Sequence, residues 1–459
     1  MNMKFKIIIT TLFTALLMAG IIACDVISPI SDPNRPSAEA LSADATRGQL
    51  QSIVTGLESR HRQHTVARSS VFTLFGAFGR ELYYFNESDP NFGTEWLQLP
   101  GSTQAETNTN FFVDATAYEV PYQAINHGRL LINAARNSNA INEQERNAFT
   151  GLAKTIMGFQ FLIPLHHQYD GGIRTDVENP LNPGPFRSYS EALGDIRNLL
   201  NDGASDLAAA GSTIPFSLSS GFSGFQTPQG ILQINRAIAA RAAIYAEDWS
   251  GALTALNDSF LDLTVGEASM NAGAYHPFPG GDDPFNFLFF PIDAATTDLV
   301  VVHPSLIDDA EANDLRVERK FNLRASPASS SVVPGVQVDY QDGRYSSNTD
   351  PKPFIRNEEL ILIYAEAQAQ LDNFPEAVVA INIVRNSWNL PDFNSSDKDE
   401  IIDQILFERR YSLWAEGGHR WIDMRRYDRL DEIDTSLDGG RVPTRVGRPV
   451  AEIDWDNFF

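Results

Sequence analysis

Two irregular stretches of this chain carry side chains with the chemistry of a sugar site. FGRELYYFNESDPNFGTEWLQLPG, residues 78–101, holds Arg80, Tyr83, Tyr84 and Trp96. NAGAYHPFPGGDDPFNFLFF, residues 271–290, holds Tyr275, His276 and Phe290. Sugar faces present C–H groups that pack on aromatic rings, while their hydroxyls need Arg, Asn, Asp or Gln at the rim; ligand sites combine both kinds of group. Arg80, Tyr83, Tyr84, Trp96, Tyr275 and Phe290 are therefore the candidate ligand contacts. Trp96, in a loop after Gly93, is the first choice for a stacking platform. Tyr83 and Tyr84 have a second reading as core residues at a helix end. Trp249 and Trp388 fall at turns between helices and read as packing residues.

Catalytic chemistry finds less support. There is no Gly-x-Ser-x-Gly elbow, no P-loop and no GxGxxG after a strand. No HExxH or CxxC suggests a metal, and no cofactor is implied. A carboxylate pair able to hydrolyse a glycoside is compatible with 59 acidic residues, but no motif singles one out. The chain reads as a binder, not an enzyme. A different reading is an adaptor that binds only another protein through its helices; such an adaptor would not need exposed rings beside polar groups.

The densest charged stretch is ERRYSLWAEGGHRWIDMRRYDRL, residues 408–430, with six arginines among Tyr411, Trp414, Trp421 and Tyr427. Glu408, Glu416, Asp423 and Asp428 are distributed as partners for those arginines and not as gaps in a phosphate track. The stretch reads as structural: a helix ending at Gly417-Gly418, then a short helix docked through Trp421, Ile422 and Met424. The whole chain has a formal charge of −24, which argues against nucleic acid and polybasic membrane contact.

The only cysteine, Cys24, follows MNMKFK and an apolar run from Ile7 to Ile22. A basic start, a short apolar run and a small residue read as a secretory signal peptide. No second apolar run of that length is expected. Ile21-Ile22-Ala23-Cys24 resembles the lipobox of bacterial lipoproteins, which makes the thiol a lipid attachment point. Removing residues 1–23 takes Lys4 and Lys6 with it and leaves a charge of −26. With a single cysteine there is no intrachain disulfide, so stability rests on the core.

The body that must position these groups reads as mostly helical. Leu50, Ile53, Val54 and Leu57 share one face of a helix over 48–62. Helices follow over 117–137, with Pro121 near the start, and 142–163, stopped by Pro164. Ser188-x-x-Glu191 is a capping box for the run to Leu207. The stretches 227–260 and 357–391 share one plan: an Ala-rich helix, a tight turn at 247–249 or 371–374, and a second helix. Both match tetratricopeptide-like repeats, with a period of about 34 residues. Between them, 271–351 is rich in Gly, Pro, Asp and aromatics, with short β possibilities. The resulting division is a signal peptide over 1–23, a tether over 24–48, a helical body over 49–270, an irregular ligand-binding insertion over 271–351, repeat-like helices over 352–430 and a tail over 431–459.

Glu408, Arg409, Arg410, Leu413, Glu416, Gly418, Arg420, Trp421, Asp423, Met424 and Arg426 resemble the C-terminal signature of the SusD/RagB outer-membrane lipoproteins. Trp414 stands where Phe is usual, and Gly417-Gly418 carries an extra glycine. The lipobox, the early helices, the Ala-rich pair, DLRVERKF (314–321) and IRNEELILIYAEAQAQLDNFPEAVVAINIVRN (355–386) come in the family's order. The resemblance implies a mostly α fold: a tetratricopeptide-like helical repeat body with an irregular, loop-rich ligand-binding subregion. It implies a cell-surface protein, lipid-anchored to the outer membrane, that caps a SusC-like TonB-dependent transporter. Such a protein captures oligosaccharides, or in some branches peptides, without acting on them chemically. The family's segment after the first helices supplies ligand-contacting aromatics, which here is the region of Arg80 to Trp96.

Overall fold

The computed structural model describes residues 43–179 and 182–458 of the 459-residue chain. Cys24 and the apolar leader lie outside the described residues. Helices of eight residues or more are numbered here, and strands throughout.

Helix α1, Arg47–Arg62, starts at a capping box between Thr46 and Gln49 and buries Leu50, Ile53, Val54 and Leu57. That is the face expected from the spacing of its apolar residues. Helix α2, Val71–Phe78, is buried on all sides. Helices α3 (Glu119–Asn137), α4 (Glu143–Gln168) and α5 (Tyr189–Ala209) follow, the last two started by capping boxes at Asn142/Glu145 and Ser188/Glu191. Pro121 sits in the first turn of α3, where it disturbs no internal hydrogen bond.

Pro164 does not end α4; the helix runs on to Gln168. An internal proline costs about 3 kcal/mol. Here every residue from Thr155 to Gln168 is buried, and continuing the helix keeps that apolar surface covered. Residues Glu143–Gly171 are also long and apolar enough to cross a membrane, with an 18-residue window of mean hydropathy 1.3. That window is 94% buried inside the body, so this second apolar run is the central core helix. Gly151 and Gly158 let α5 come close: a Cβ on either would meet Leu207 or Leu200 at 2.5 Å.

The repeat-like pairs are α6 (Pro228–Tyr245) with α7 (Trp249–Asn257), and α8 (Asn357–Gln370) with α9 (Phe374–Ser387). Pro228 opens α6, and Asp248 caps α7 by accepting from the Gly251 amide. The helices neighbour one another in succession, α1 with α3, α3 with α4, then α4 through α9 in order. Helix α7 thus meets α8, although about a hundred residues separate them in sequence. Helices α10 (Lys398–Ser412), α11 (His419–Arg426) and α12 (Val450–Phe458) complete the chain.

Strand β1, Leu82–Asn86, lies between α2 and the next segment, and a short hairpin joins β2 (Ile173–Arg174) to β3 (Phe186–Arg187). The excursion between α7 and α8 contributes β4 (Gly273–His276), β5 (Asp298–Val302), β6 (Phe321–Ser329), β7 (Gln337–Asp342) and β8 (Lys352–Arg356). One antiparallel sheet has the order β1-β5-β7-β6, with Leu82 opposite Val302 and Asn86 opposite Asp298. A separate pair joins β4 to β8, and its register shifts between Ala274 and Tyr275.

Candidate ligand-binding site

Strand β4 carries the side chain around which the site is built. Successive side chains of a strand face opposite sides, and β4 keeps that alternation; the register shift falls on its partner β8, where Phe354 is the extra residue between the partners of Ala274 and Tyr275. Ala274 and His276 point inward and are buried. Tyr275 points outward, partly exposed, and its hydroxyl donates to the Asn271 carbonyl. Gly221 packs against this turn, since a Cβ there would meet the Tyr275 carbonyl oxygen at 2.0 Å.

Tyr275 separates two clefts of about 360 Å³ each. The first is walled by Asn271, Arg344, Tyr345, Arg356 and Glu416. Its cations are already matched. Arg356 donates to both Glu416 oxygens at 2.8 and 2.9 Å and to Glu358. Arg344 donates to Asp342 at 2.7 and 3.0 Å. Burial alone would raise the Glu358 carboxyl, but Arg356 together with Lys320, the Ser412 hydroxyl and Arg316 outweighs that and holds it below the ordinary value. Lys320 donates to the Tyr411 and Ser412 carbonyls, and burial brings its amine down to about 8. The wall therefore offers oriented polar groups with little uncompensated charge.

The second cleft lies between α1 and the loop after β4. It is lined by Glu58, His61, Arg62, Phe222, Pro277 and Asp283, among others. Glu58 accepts from the Ser219 hydroxyl at 2.6 Å and the Ser219 amide at 3.0 Å. Arg62 ties down the loop through the Pro277 carbonyl at 2.7 Å and Asp283 at 2.6 Å. Nearby, Phe285 and Phe287 are each 40% exposed.

Of the six contacts expected from sequence, only Tyr275 lines these clefts. Trp96 is fully buried; its indole N–H donates to the Phe112 carbonyl at 3.1 Å and its ring meets Phe92 edge-on at 5.0 Å. Arg80, 1% exposed, pairs with Asp438 at 2.9 and 3.0 Å and donates to the Leu97 carbonyl. Tyr83 also donates to Asp438, and Tyr84 donates to Asp298, both at 2.9 Å. Phe290 is buried beneath the Arg68 guanidinium, 5.0 Å from its ring. These five side chains have no face left for a ligand. The physical reason is that LYYFN is strand β1, covered on both faces, and not a loop. Glu58, Arg62, Arg344, Arg356 and Ser219 were not anticipated; they come from segments far apart in sequence. Glu416 was anticipated only as an ion-pair partner.

The C-terminal signature does structural work. Asp423 accepts from Arg409 at 2.6 Å and Arg426 at 3.0 Å, and Arg426 also pairs with Glu366. Glu408, fully buried, holds Arg316 at 2.6 Å and Arg385 at 2.7 Å. Trp421 donates to the Pro443 carbonyl, and Trp414 to that of Glu81. Gly418 is left-handed with φ 77°, and a Cβ there would strike Phe75 at 2.2 Å. The signature thus locks α10 and α11 onto α2. Among the described residues no group of three or more His, Cys, Asp or Glu is placed to hold a metal ion.

Comparison with known proteins agrees with this architecture. Residues 330–451 match the sequence model of the SusD family. A SusD-like protein of Formosa agariphila is 35% identical over 127 residues, which span 24% of this chain and 25% of that protein. Among solved structures, a SusD superfamily protein from Bacteroides vulgatus superposes with a TM-score of 0.68 at 14% identity, covering 89% of this chain and 97% of that one. Surface glycan-binding protein A from Bacteroides uniformis also gives 0.68, at 15% identity, covering 90% and 98%. NanU of Bacteroides fragilis gives 0.62 at 16% identity, covering 90% and 94%.

Proposed function

We propose, for a chain that belongs to the SusD/RagB family, that it captures neutral oligosaccharides at the clefts flanking Tyr275 and passes them to a SusC-like TonB-dependent transporter. The observation that carries this reading is the Tyr275 ring. It stands partly exposed on the outward side of β4, between two polar clefts whose arginines are already paired. Such a ridge suits the apolar face of one sugar ring, with hydroxyls of its neighbours reaching Asn271, Glu58 or Ser219. A formal charge of −24 disfavours polyanions. A solved relative of the same fold is named a surface glycan-binding protein, which supports the ligand class. The ligand leaves chemically unchanged. Acylation of Cys24 holds the protein on the outer membrane at the cell surface, in reach of the transporter.

Calorimetric titration of residues 49–459 with neutral glycans, acidic glycans and peptides tests the ligand class. The expected result is binding of neutral glycans, tightening with chain length as more of the two clefts fills. Binding of peptides alone moves the protein to peptide capture. Binding of nothing but the transporter makes it an adaptor and defeats the reading.

A further inference from the structure

The floor of the second cleft is an unusual cluster. His61 and His276 both line the cleft. With His64 they form a triangle of rings, with centroids 4.6, 5.1 and 6.2 Å apart. All three are buried and their Nε2 atoms have no hydrogen-bond partner. The Gln160 side-chain nitrogen lies 2.8 Å from His61 Nδ1 and 3.4 Å from His64 Nδ1.

Everything packed on this triangle is apolar, cationic or already committed. From β8 come Phe354, 4.8 Å from His61 and 5.0 Å from His276, and the buried Lys352, which donates to the Thr65 carbonyl and whose amine burial holds well below its ordinary value. From α4 come Phe159 and Gln160. From α1 come Arg62, held by Asp283, and Glu58, held by Ser219. Arg241 of α6, over Phe159, is paired with Glu359, and Asp342 near Lys352 is paired with Arg344. Among the described residues no uncommitted carboxylate faces the rings.

We propose that His61, His64 and His276 form an acid-opened latch beneath the ligand cleft: protonation places cations beside Lys352 and Arg62 and forces the floor of the cleft apart, releasing ligand. This rests on the reading of the cleft as the ligand site. The direction follows from linkage. Burial holds the closed-state rings well below 6.5, His64 at about 3, while the opened rings take protons below 6.5. Opening therefore becomes easier as the pH falls from 6.5, by up to tenfold per pH unit for each ring, and so up to about a thousandfold for three. The latch acts well above the closed-state values because the open form collects the protons.

Hydrogen exchange of the intact protein, read by mass spectrometry from pH 7.5 to 5 and corrected for intrinsic rates, tests this without any ligand. Peptides covering 58–66, 274–279 and 352–356 should open more than a hundredfold per pH unit below pH 6, ahead of residues 374–387 of α9. Replacing His64→Phe, which matches its packing against Phe72 and Phe159, should remove about one tenfold step per unit. Opening that does not steepen below pH 6, or that rises equally in α9, overturns the latch. Acid opening in a protein that binds no glycan at pH 7.5 would uphold the latch and sink the site reading; pH-independent opening with intact glycan binding would do the reverse.

Discussion

Glu81 gives the sharpest test of the core. It follows α2, is completely buried, and neither carboxyl oxygen has a well-formed hydrogen bond. Its own carbonyl accepts from Trp414 at 2.8 Å and from the His303 amide at 3.1 Å, so the residue is pinned between β5 and the C-terminal signature. Burial pushes its carboxyl up to about 8, against the pull of Arg420, the Ala415 amide, Arg410 and Arg344. The folded protein thus keeps the proton, while the unfolded chain gives it up near 4.5. The sign is that of an acid raised by folding: no penalty below 4.5, a growing one as pH rises, and a plateau above about 8. At 1.36 kcal/mol per pH unit, the penalty is roughly 3 kcal/mol at pH 7 and roughly 5 above pH 8.5. Glu81→Gln keeps the neutral shape and cannot ionise. Urea unfolding of both proteins from pH 5.5 to 9 should show the variant more stable, with a gain that grows across that range to about the full amount. A variant that is less stable at pH 8.5, or whose gain does not change with pH, would refute a protonated Glu81.

Two other changes probe separate parts of the account. Asp423→Ala leaves the buried Arg409 without its carboxylate and Arg426 with Glu366 alone, at a cost of about 3–5 kcal/mol, and glycan affinity at a permissive temperature should be unchanged; a wild-type melting curve with lost binding would make the signature part of the site. Cys24→Ala should move the folded protein from the membrane fraction to the soluble one, and a variant still sedimenting with outer membranes in cells lacking the transporter would defeat the lipid anchor.

Much of the helical body can be read from local chemistry. The Thr46, Asn142 and Ser188 caps, Pro228 at the start of α6 and the apolar face of α1 all depend on residues within a turn or two. The candidate site was less legible. LYYFN looks like a sugar-binding loop because its aromatics stand beside Arg80 and Asn86. Its partner strand, 298–302, lies more than two hundred residues away, and pairing with it buries the rings. A short aromatic run between Gly79 and Asn86 is also a strand signal, and that local cue favours the structure's answer. Pro164 misled for a related reason: a local breaker was overridden by burial on every side of α4. Tyr275 could be chosen from sequence, but not the two clefts beside it. Those are closed by Glu58 and Ser219 on one side and Arg344, Arg356 and Glu416 on the other, a meeting of distant segments that no spacing records.

The central claim is that the ligand rests on Tyr275 and not on the aromatic cluster around Trp96. Titration of one neutral glycan that binds the wild type, against Tyr275→Ala and Trp96→Phe with melting curves for each, separates the two. Loss of an aromatic anchor costs about 2 kcal/mol, or roughly thirtyfold in affinity. The account predicts that loss for Tyr275→Ala with a near-native melting temperature, and for Trp96→Phe a lowered melting temperature with unchanged affinity. Undiminished binding by Tyr275→Ala, together with lost binding by a fully folded Trp96→Phe, would contradict it.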